Sequence, residues 1–188
     1  IATLLNNYTP ANISAFKATI SRLRDHSAVI GYHLYDEFPP YSDEQYLTVK
    51  NLIRTIDSKK IVFANHYQQG CTTLYDDISN FDVYPFKSNS PTNTLLQTGS
   101  AIDNTLKSGC PRPIWVIIQS FKDLNHKWRL PTPSEMRGQV YTAIVHGATG
   151  IYTSIQHSPW AWNDNRAGEG YLEDKEYLSG ISPQINQE

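Results

Sequence analysis

The chain alternates short apolar runs with stretches whose apolar residues recur at helical spacing, and this alternation is the feature that most constrains its fold. Strand followed by helix, repeated along a chain, is typical of β/α units that build a parallel sheet. The apolar runs are nearly continuous, as expected for strands covered on both faces. The predicted strands cover residues 2–5, 28–35, 61–65, 81–84, 113–119 and 151–155.

Caps and breakers mark the predicted helices between these strands. The first helix begins near Asn12, with Thr9 or Asn12 as its cap. Ser42 followed by Gln45 has the form of a capping box, and Pro133 opens a later helix. Five helices are predicted. Two begin near positions 12 and 42, and the other three cover residues 92–106, 133–146 and 175–187.

Two architectures suit this pattern, a doubly wound sheet and a (β/α) barrel. The chain has no G-x-G-x-x-G after its first strand and no P-loop sequence, which disfavours a nucleotide-binding doubly wound sheet. Polar residues instead follow one strand after another, at the ends that meet on the active-site face of a barrel. These residues are Asn6, Asn7, Asp36, Glu37, Asn65, His66, Tyr84, Gln119, Gln156 and His157. The sequence therefore predicts an α/β fold of the TIM (β/α)8 barrel class.

Composition and short motifs limit the kinds of partner and the cellular location that suit this chain. A net charge of −2 without a basic block argues against nucleic acid, and no apolar run approaches the roughly 18 residues of a membrane span. Aromatic residues make up 12% of the chain, which argues against disorder. Cys71 and Cys110 are either two buried thiols or one disulfide. Glycosylation sequons at Asn7 and Asn12 favour an extracellular or secretory location.

The acidic pair Asp36 and Glu37 is the best candidate for catalysis. The pair ends an aromatic-rich strand, and a glutamate walled by Tyr32, Tyr35 or Phe38 would be partly desolvated, which raises its pKa. A general acid needs such a raised pKa to work near neutral pH. The alternative is that both residues belong to an ordinary loop before a proline turn.

Four segments are similar to consecutive elements of one enzyme family. They are HSAVIGYHLYDEFP at 26–39, FDVYPF at 81–86, PIWVIIQSF at 113–121 and TPSEMRGQVYTAIVHGATGIYTSI at 132–155. In this order they resemble the fourth, sixth and seventh strands, and the seventh helix with the eighth strand, of the clan A glycoside hydrolases. In that family a fourth strand ending in Asn-Glu or Asp-Glu delivers the acid/base glutamate. The resemblance therefore implies that Glu37 is the general acid/base.

The chain departs from that family at the end of the seventh strand. Clan A enzymes carry a nucleophilic glutamate there, whereas the matching residue is Gln119, whose amide cannot form a glycosyl ester. Gln119 is an engineered inactivating change, or another carboxylate or a substrate-assisted route replaces the nucleophile, or the barrel binds sugar without cutting it. Asp36, Glu37 and Tyr84 also resemble, in residue type, the set with which hexosaminidase-type enzymes achieve substrate assistance.

Aromatic and polar residues after the strands are candidates for sugar binding. Trp and Tyr rings offer flat apolar faces for sugar C–H surfaces, although each ring could equally anchor an ordinary loop. The predicted substrate-binding residues are Asn65, His66, Tyr84, Gln119, Trp160 and Trp162. Asp82 lies inside a strand and is interpreted as a structural cap or pairing partner, and His33 as a core residue. The histidine spacing fits no metal-binding motif, so we expect neither a metal nor a cofactor.

The sequence thus predicts a glycoside hydrolase that cleaves O-glycosidic bonds of an oligo- or polysaccharide, with Glu37 as general acid/base. The alternative is a catalytically inactive glycosidase-like barrel that binds carbohydrate or serves as a structural module. The six predicted strands match the third to eighth strands of the family barrel. Residues 1–188 are therefore expected to be one barrel domain that lacks its first two β/α units and the end of its last helix, within a larger chain or assembly.

Overall fold

The computed structural model describes residues 9–36, 42–66, 75–87, 95–109, 113–122, 128–154 and 169–170. Some predicted features lie outside these ranges: the strand at 2–5, the helix at 175–187, Cys71, Cys110, Glu37, Trp160 and Trp162. They stay predictions from the sequence.

The described helices follow the start signals read from the sequence. They are α1 (Pro10–Arg24), α2 (Asp43–Arg54), α3 (Leu96–Lys107) and α4 (Pro133–Val145). Thr9, rather than Asn12, caps α1, because its hydroxyl accepts the backbone N–H of Asn12 at 3.2 Å. Ser42 and Gln45 form the predicted capping box of α2.

The described strands form parallel ladders in chain order. They are β1 (Gly31–Asp36), β2 (Ile61–Asn65), β3 (Ser79–Val83), β4 (Ile114–Gln119), β5 (Phe121–Lys122), β6 (Gly150–Ser154) and β7 (Glu169–Gly170). β1 pairs with β2, β3 pairs with β4, and β4 pairs with β6, all in parallel. His66 joins the two groups, since it forms a parallel bridge with Phe81 and its backbone N–H donates to the Asn80 carbonyl. The short antiparallel pair of β5 and β7 was not expected from the sequence.

The helices cover one face of this sheet with two apolar cores. α1 and α2 pack on β1 and β2 through a core that includes Phe16, Ile20, Val49, Ile53 and Val62. α3 and α4 pack on β3 and β4 through a second core that includes Phe81, Val83, Ala101, Ile102, Val116 and Ala143. Both cores lie on the same face, because side chains alternate along a strand and bridged parallel partners point the same way.

The described residues are a mixed α/β structure with parallel strands, as the alternation of strands and helices predicts. They do not close into a barrel. Within these residues, no helix is both long enough and apolar enough to cross a membrane.

Candidate active site

Several polar residues of the strands lie on the face of the sheet that α1–α4 leave uncovered. Val62, Ala64, Phe81 and Val83 pack under the helices, so their neighbours along each strand point the other way. This second face is called the far face below. Its described members include Phe63, Asn65, Asn80, Asp82, Trp115, Ile117, Gln119 and Tyr152.

A chain of side-chain hydrogen bonds crosses the far face. Asn65 donates from Nδ2 to Oδ1 of Asp36 at 2.8 Å, and Asn80 donates from Nδ2 to Oδ1 of Asn65 at 3.3 Å. The hydroxyl of Tyr152 then donates to Oδ1 of Asn80 at 2.8 Å. These bonds link β1, β2, β3 and β6, so they hold residues from four strands in one arrangement.

Asp36 reaches this chain through an irregularity in the sheet. The register of β1 against β2 shifts between His33 and Asp36, which places Asp36 opposite Asn65. Such bulges re-aim side chains and are frequent beside active sites. Asp36 is exposed whereas Asn65 is fully buried, so Asn65 holds Asp36 in place and has no surface of its own for a ligand. This placement differs from the predicted role of Asn65 in binding sugar.

The pKa of the Tyr152 phenol is shifted by its surroundings. Burial raises the pKa of Tyr152 well above its usual value, and the negative charges of Asp36 and Asp82 raise it further, against the lowering effect of the bond to Asn80. The hydroxyl is therefore a proton donor at every physiological pH. Tyr152 and Asn80 could not be identified as site residues from the sequence, because a strand covered on both faces shows no alternation from which to tell its faces apart.

Asp82 on the far face has an unsatisfied carboxylate oxygen. It lies within β3, as predicted, but its buried Oδ2 has no hydrogen-bond partner among the described residues. The interpretation of Asp82 as a structural cap or pairing residue is therefore not supported for this oxygen. Buried polar atoms are nearly always satisfied in folded proteins, so an unsatisfied carboxylate oxygen needs an explanation.

Gln119 is completely buried, and backbone groups engage its amide. Oε1 accepts the N–H of Phe86 at 2.9 Å, while Nε2 donates to the carbonyls of Phe86, Phe121 and Arg129 at 3.3, 3.2 and 2.8 Å. The side chain of Gln139 pairs with both backbone groups of Gln119 at 3.0 Å. Gln119 thus ties together the segments after β3 and β4, a different role from the predicted contact with sugar.

Tyr84 belongs to an aromatic cluster next to the Gln119 network. Its ring contacts Phe121 and Trp128 edge-on, with centroids 4.9 and 5.8 Å apart, and the rings of Phe121 and Trp128 lie 5.7 Å apart. Tyr84 is partly exposed, so one side of this cluster is available to solvent. The backbone of Trp128 forms an antiparallel bridge with Lys87.

His66 points to the helix-covered face. Its Nε2 bonds to the carboxylate of Asp76, which also accepts the hydroxyl of Tyr46 on α2. Burial raises the pKa of the Tyr46 phenol far above its usual range, with a further contribution from the charge on Asp76. His66 therefore lies away from the far face, and its predicted contact with sugar does not match this placement.

An apolar cavity of about 400 Å³ adjoins the polar chain on the far face. It is lined by Ile30, His33, Phe63, Trp115, Gly150, Ile151 and Tyr152. His33 is exposed and stacks against Phe63 at 5.2 Å, so the prediction that it is a core residue is wrong. Gly150 leaves room for the Trp115 indole, since an added Cβ would lie 2.4 Å from its Cδ1. Among the described residues, no cluster of three or more acidic, histidine or cysteine side chains could hold a metal.

Comparison with known proteins gives a likeness of fold only. No protein-family model matches the chain, and no curated protein matches it. A solved chain described as an alpha-L-fucosidase from Bacteroides thetaiotaomicron is similar with a TM-score of 0.56 at 12% identity, over 89% of this chain and 59% of that one. A b-glucuronidase from Ruminococcus gnavus, solved with an N1-substituted uronic isofagomine, is similar with a TM-score of 0.54 at 12% identity, over 86% of this chain and 32% of that one.

The chain is therefore similar in fold to two glycoside hydrolase chains and spans less than two thirds of either one. At 12% identity the likeness carries no residue of their active sites over to this chain.

Proposed function

We propose that this chain is part of a glycoside hydrolase that cleaves O-glycosidic bonds of an oligo- or polysaccharide. The observation that carries the proposal is the hydrogen-bonded chain from Asp36 through Asn65 and Asn80 to Tyr152, which brings four strands together on one face. In parallel β/α folds, ligands bind at the carboxyl ends of the strands, and Asp36 and Asn65 are the last residues of β1 and β2. The likeness in fold to two glycosidase chains supports the same reading.

Glu37 is the proposed general acid. It follows Asp36 directly in the sequence, and Asp36 is the residue that the Asn65 amide holds. Glu37 would protonate the glycosidic oxygen as the bond to the anomeric carbon breaks, and Asp36 would orient the substrate or tune the acid. Both assignments rest on the sequence resemblance together with the fixed position of Asp36.

The aromatic cluster supports a sugar-binding surface. Tyr84 is partly exposed and is held by ring contacts with Phe121 and Trp128, so it offers an aromatic side chain in a fixed position. We propose that Tyr84 contacts a sugar ring, with Trp160 and Trp162 as further stacking residues on the evidence of the sequence alone. Asn65 and Gln119 are proposed as positioning residues, since both are completely buried.

The proposed architecture is a (β/α)8 barrel of the clan A type, to which residues 1–188 contribute the third strand onward. Five parallel strands in chain order support this proposal. A secretory location is likewise proposed, from the sequons at Asn7 and Asn12. No nucleic acid, cofactor or metal enters the proposed reaction.

A second candidate function is an inactive barrel that binds carbohydrate. The observation that favours it concerns Gln119, which stands where the resembled family has its nucleophilic glutamate. Both the oxygen and the nitrogen of its amide are hydrogen-bonded to backbone groups. A binding module of this kind would take up sugars without releasing products.

An assay for hydrolysis separates the two candidates. The protein is incubated with a panel of aryl glycosides and polysaccharides, and released sugar is measured for the wild type, Glu37→Gln and Glu44→Gln. Glu44 is an exposed residue of α2, so its amide variant controls for the loss of one charge. Turnover that disappears only in Glu37→Gln supports the enzyme, whereas saturable binding with no turnover in any variant supports the binding module.

A further inference from the structure

The side-chain hydrogen bonds of the polar chain on the far face all run in one direction, from Tyr152 to Asp36. An amide nitrogen only donates and an amide oxygen only accepts, so one fixed contact sets the orientation of every amide in the chain. That contact is the backbone carbonyl of Ala64, which accepts from Nδ2 of Asn80 at 3.4 Å. The same Nδ2 donates to Oδ1 of Asn65 at 3.3 Å, so Nδ2 of Asn65 is the atom turned towards Asp36.

The two ends of the chain agree with this direction. The hydroxyl of Tyr152 donates to Oδ1 of Asn80 at 2.8 Å, which is the amide atom that the Ala64 contact leaves as acceptor. Burial raises the pKa of the phenol, so Tyr152 keeps the proton that it donates. At the other end, Oδ1 of Asp36 accepts from Asn65 at 2.8 Å. The chain therefore begins at a hydroxyl on β6 and ends at a carboxylate on β1.

The middle of the chain is buried, whereas its carboxylate end is exposed. Asn65 is 0% exposed and Asn80 is 1% exposed, while Asp36 is an exposed residue. Replacing two buried hydrogen-bonding partners by apolar groups is nearly neutral for stability, so mutual satisfaction alone is a weak reason for two buried amides. What the amides provide is a fixed contact to one oxygen of an exposed side chain, which solvent does not hold in one rotamer.

This contact leaves half of the Asp36 carboxylate for a substrate. Within the part of the chain that the structure describes, the hydrogen bond to Asp36 engages Oδ1, and Oδ2 is not bonded. The proposed function gives Asp36 the task of orienting the substrate. Such a task depends on where the oxygen atoms lie, since a displacement of about 1 Å can cost about 100-fold in rate.

We propose that Tyr152 and Asn80 are positioning residues which, acting through Asn65, hold Asp36 in the orientation in which it binds the sugar. This inference rests on the proposed function and extends it to β3 and β6. It predicts that a substitution in the polar chain weakens sugar binding only while the Asp36 carboxylate is present. A merely structural role predicts no such dependence, because the effects of independent sites add.

The test is a double-mutant cycle on the affinity for sugar. Isothermal titration calorimetry measures the dissociation constant of the whole chain for the sugar that the wild type releases in the hydrolysis assay, so the variants need no turnover. Tyr152→Phe and Asn65→Ala are each made in the wild type and in Asp36→Ala, with Tyr141→Phe on the exposed surface of α4 as the control. Circular dichroism checks that each variant is folded at the temperature of the titration.

We expect Tyr152→Phe to weaken sugar binding about threefold or more, and Asn65→Ala, which removes the bond to Asp36 itself, about tenfold or more. Neither should weaken binding more than Asp36→Ala does, and neither should weaken it further once Asp36 is replaced. The control Tyr141→Phe should bind as the wild type does. Tyr152→Phe removes a single hydroxyl, so it decides the matter where Asn65→Ala does not fold.

Other results overturn the inference. Equal weakening with and without the Asp36 carboxylate means that the substitutions act by another route. Unchanged affinity in folded Tyr152→Phe means that the bond to Asn80 serves only the fold. Both results leave the proposed hydrolase standing. A wild type that hydrolyses nothing in the panel overturns the proposed function, and this inference falls with it.

Discussion

The hydroxyl of Tyr152 on β6 donates a 2.8 Å hydrogen bond to Oδ1 of Asn80 on β3, across the intervening strand β4. Strands that are not neighbours in the sheet are thereby joined by a side-chain contact on the far face. Through this bond the side-chain oxygen of Asn80 accepts a hydrogen bond. Its Nδ2 donates to Oδ1 of Asn65 and to the Ala64 carbonyl. It fixes the end of the polar chain that begins at Asp36.

Removing this hydroxyl should weaken both the fold and the site. Tyr152→Phe leaves the buried Asn80 oxygen without its donor, so we expect a loss of about 1–3 kcal/mol in the free energy of unfolding. Urea denaturation measures this loss, with Tyr141→Phe on the exposed surface of α4 as the control. Equal stability of wild type and Tyr152→Phe would show that the bond to Asn80 contributes nothing.

Restoring a carboxylate at position 119 should not restore a nucleophile. In Gln119→Glu, the carboxylate oxygen that replaces Nε2 would face the carbonyls of Phe86, Phe121 and Arg129 in a fully buried place. We expect a loss of about 3 kcal/mol or more in the free energy of unfolding, because a buried charge is left uncompensated. Higher turnover than wild type, together with unchanged stability, would show that the family nucleophile position is functional here.

The ion pair between Arg129 and Glu135 gives the fold an acid-sensitive contribution. Its two bonds measure 2.6 and 2.7 Å, and they are the main reason that the pKa of Glu135 is lowered to about 2. A lowered folded pKa means that the stabilisation is complete above the ordinary value of 4.5 and is lost as the pH falls from 4.5 towards 2. Glu135→Gln keeps the capping box with Thr132 but removes the charge.

We therefore expect the gap in unfolding temperature between wild type and Glu135→Gln to be largest near neutral pH and to narrow below about pH 4.5. Thermal unfolding followed by circular dichroism at a series of pH values measures this gap. A gap that stays constant down to pH 2 would mean that the Glu135 carboxylate contributes no pH-dependent stability.

Gly150 should be intolerant of a side chain. A Cβ at this position would lie 2.4–2.6 Å from three atoms of the Trp115 indole, so Gly150→Ala must displace that ring. We expect a loss of about 1–3 kcal/mol in the free energy of unfolding from this overpacking. The double variant Gly150→Ala with Trp115→Leu should recover part of the loss, and failure to recover any of it would place the strain elsewhere.

Local sequence patterns were sufficient to predict most of the described helices and strands. The capping box of Ser42 and Gln45, and the apolar run that became β4, each act through neighbours in the chain, so their patterns are visible without a structure. The side-chain directions of the site residues were not visible. The side chains of His66 and Asn65, adjacent in sequence, lie on opposite sides of the sheet. Only the pairing with β3 determines which of the two side chains is on the helix-covered side.

The role of Gln119 was also out of reach of the sequence. Its amide is held by backbone groups of Phe86 and Arg129, which are 33 and 10 residues away, and backbone groups leave no residue-type signature. The two-residue strands β5 and β7 were missed for a related reason, since their pairing depends on long-range contact rather than on pattern.

The most direct test of the proposed reaction is the dependence of turnover on the leaving group. Wild type and Glu37→Gln are compared on a glycoside with a poor leaving group, such as an unactivated oligosaccharide, and on a dinitrophenyl glycoside of the same sugar, which departs without protonation. If Glu37 is the general acid, Glu37→Gln loses about 100-fold or more in kcat/KM on the poor leaving group and less than about tenfold on the activated one. Equal losses on both substrates, or no loss on either, would contradict the assignment of Glu37 as the acid.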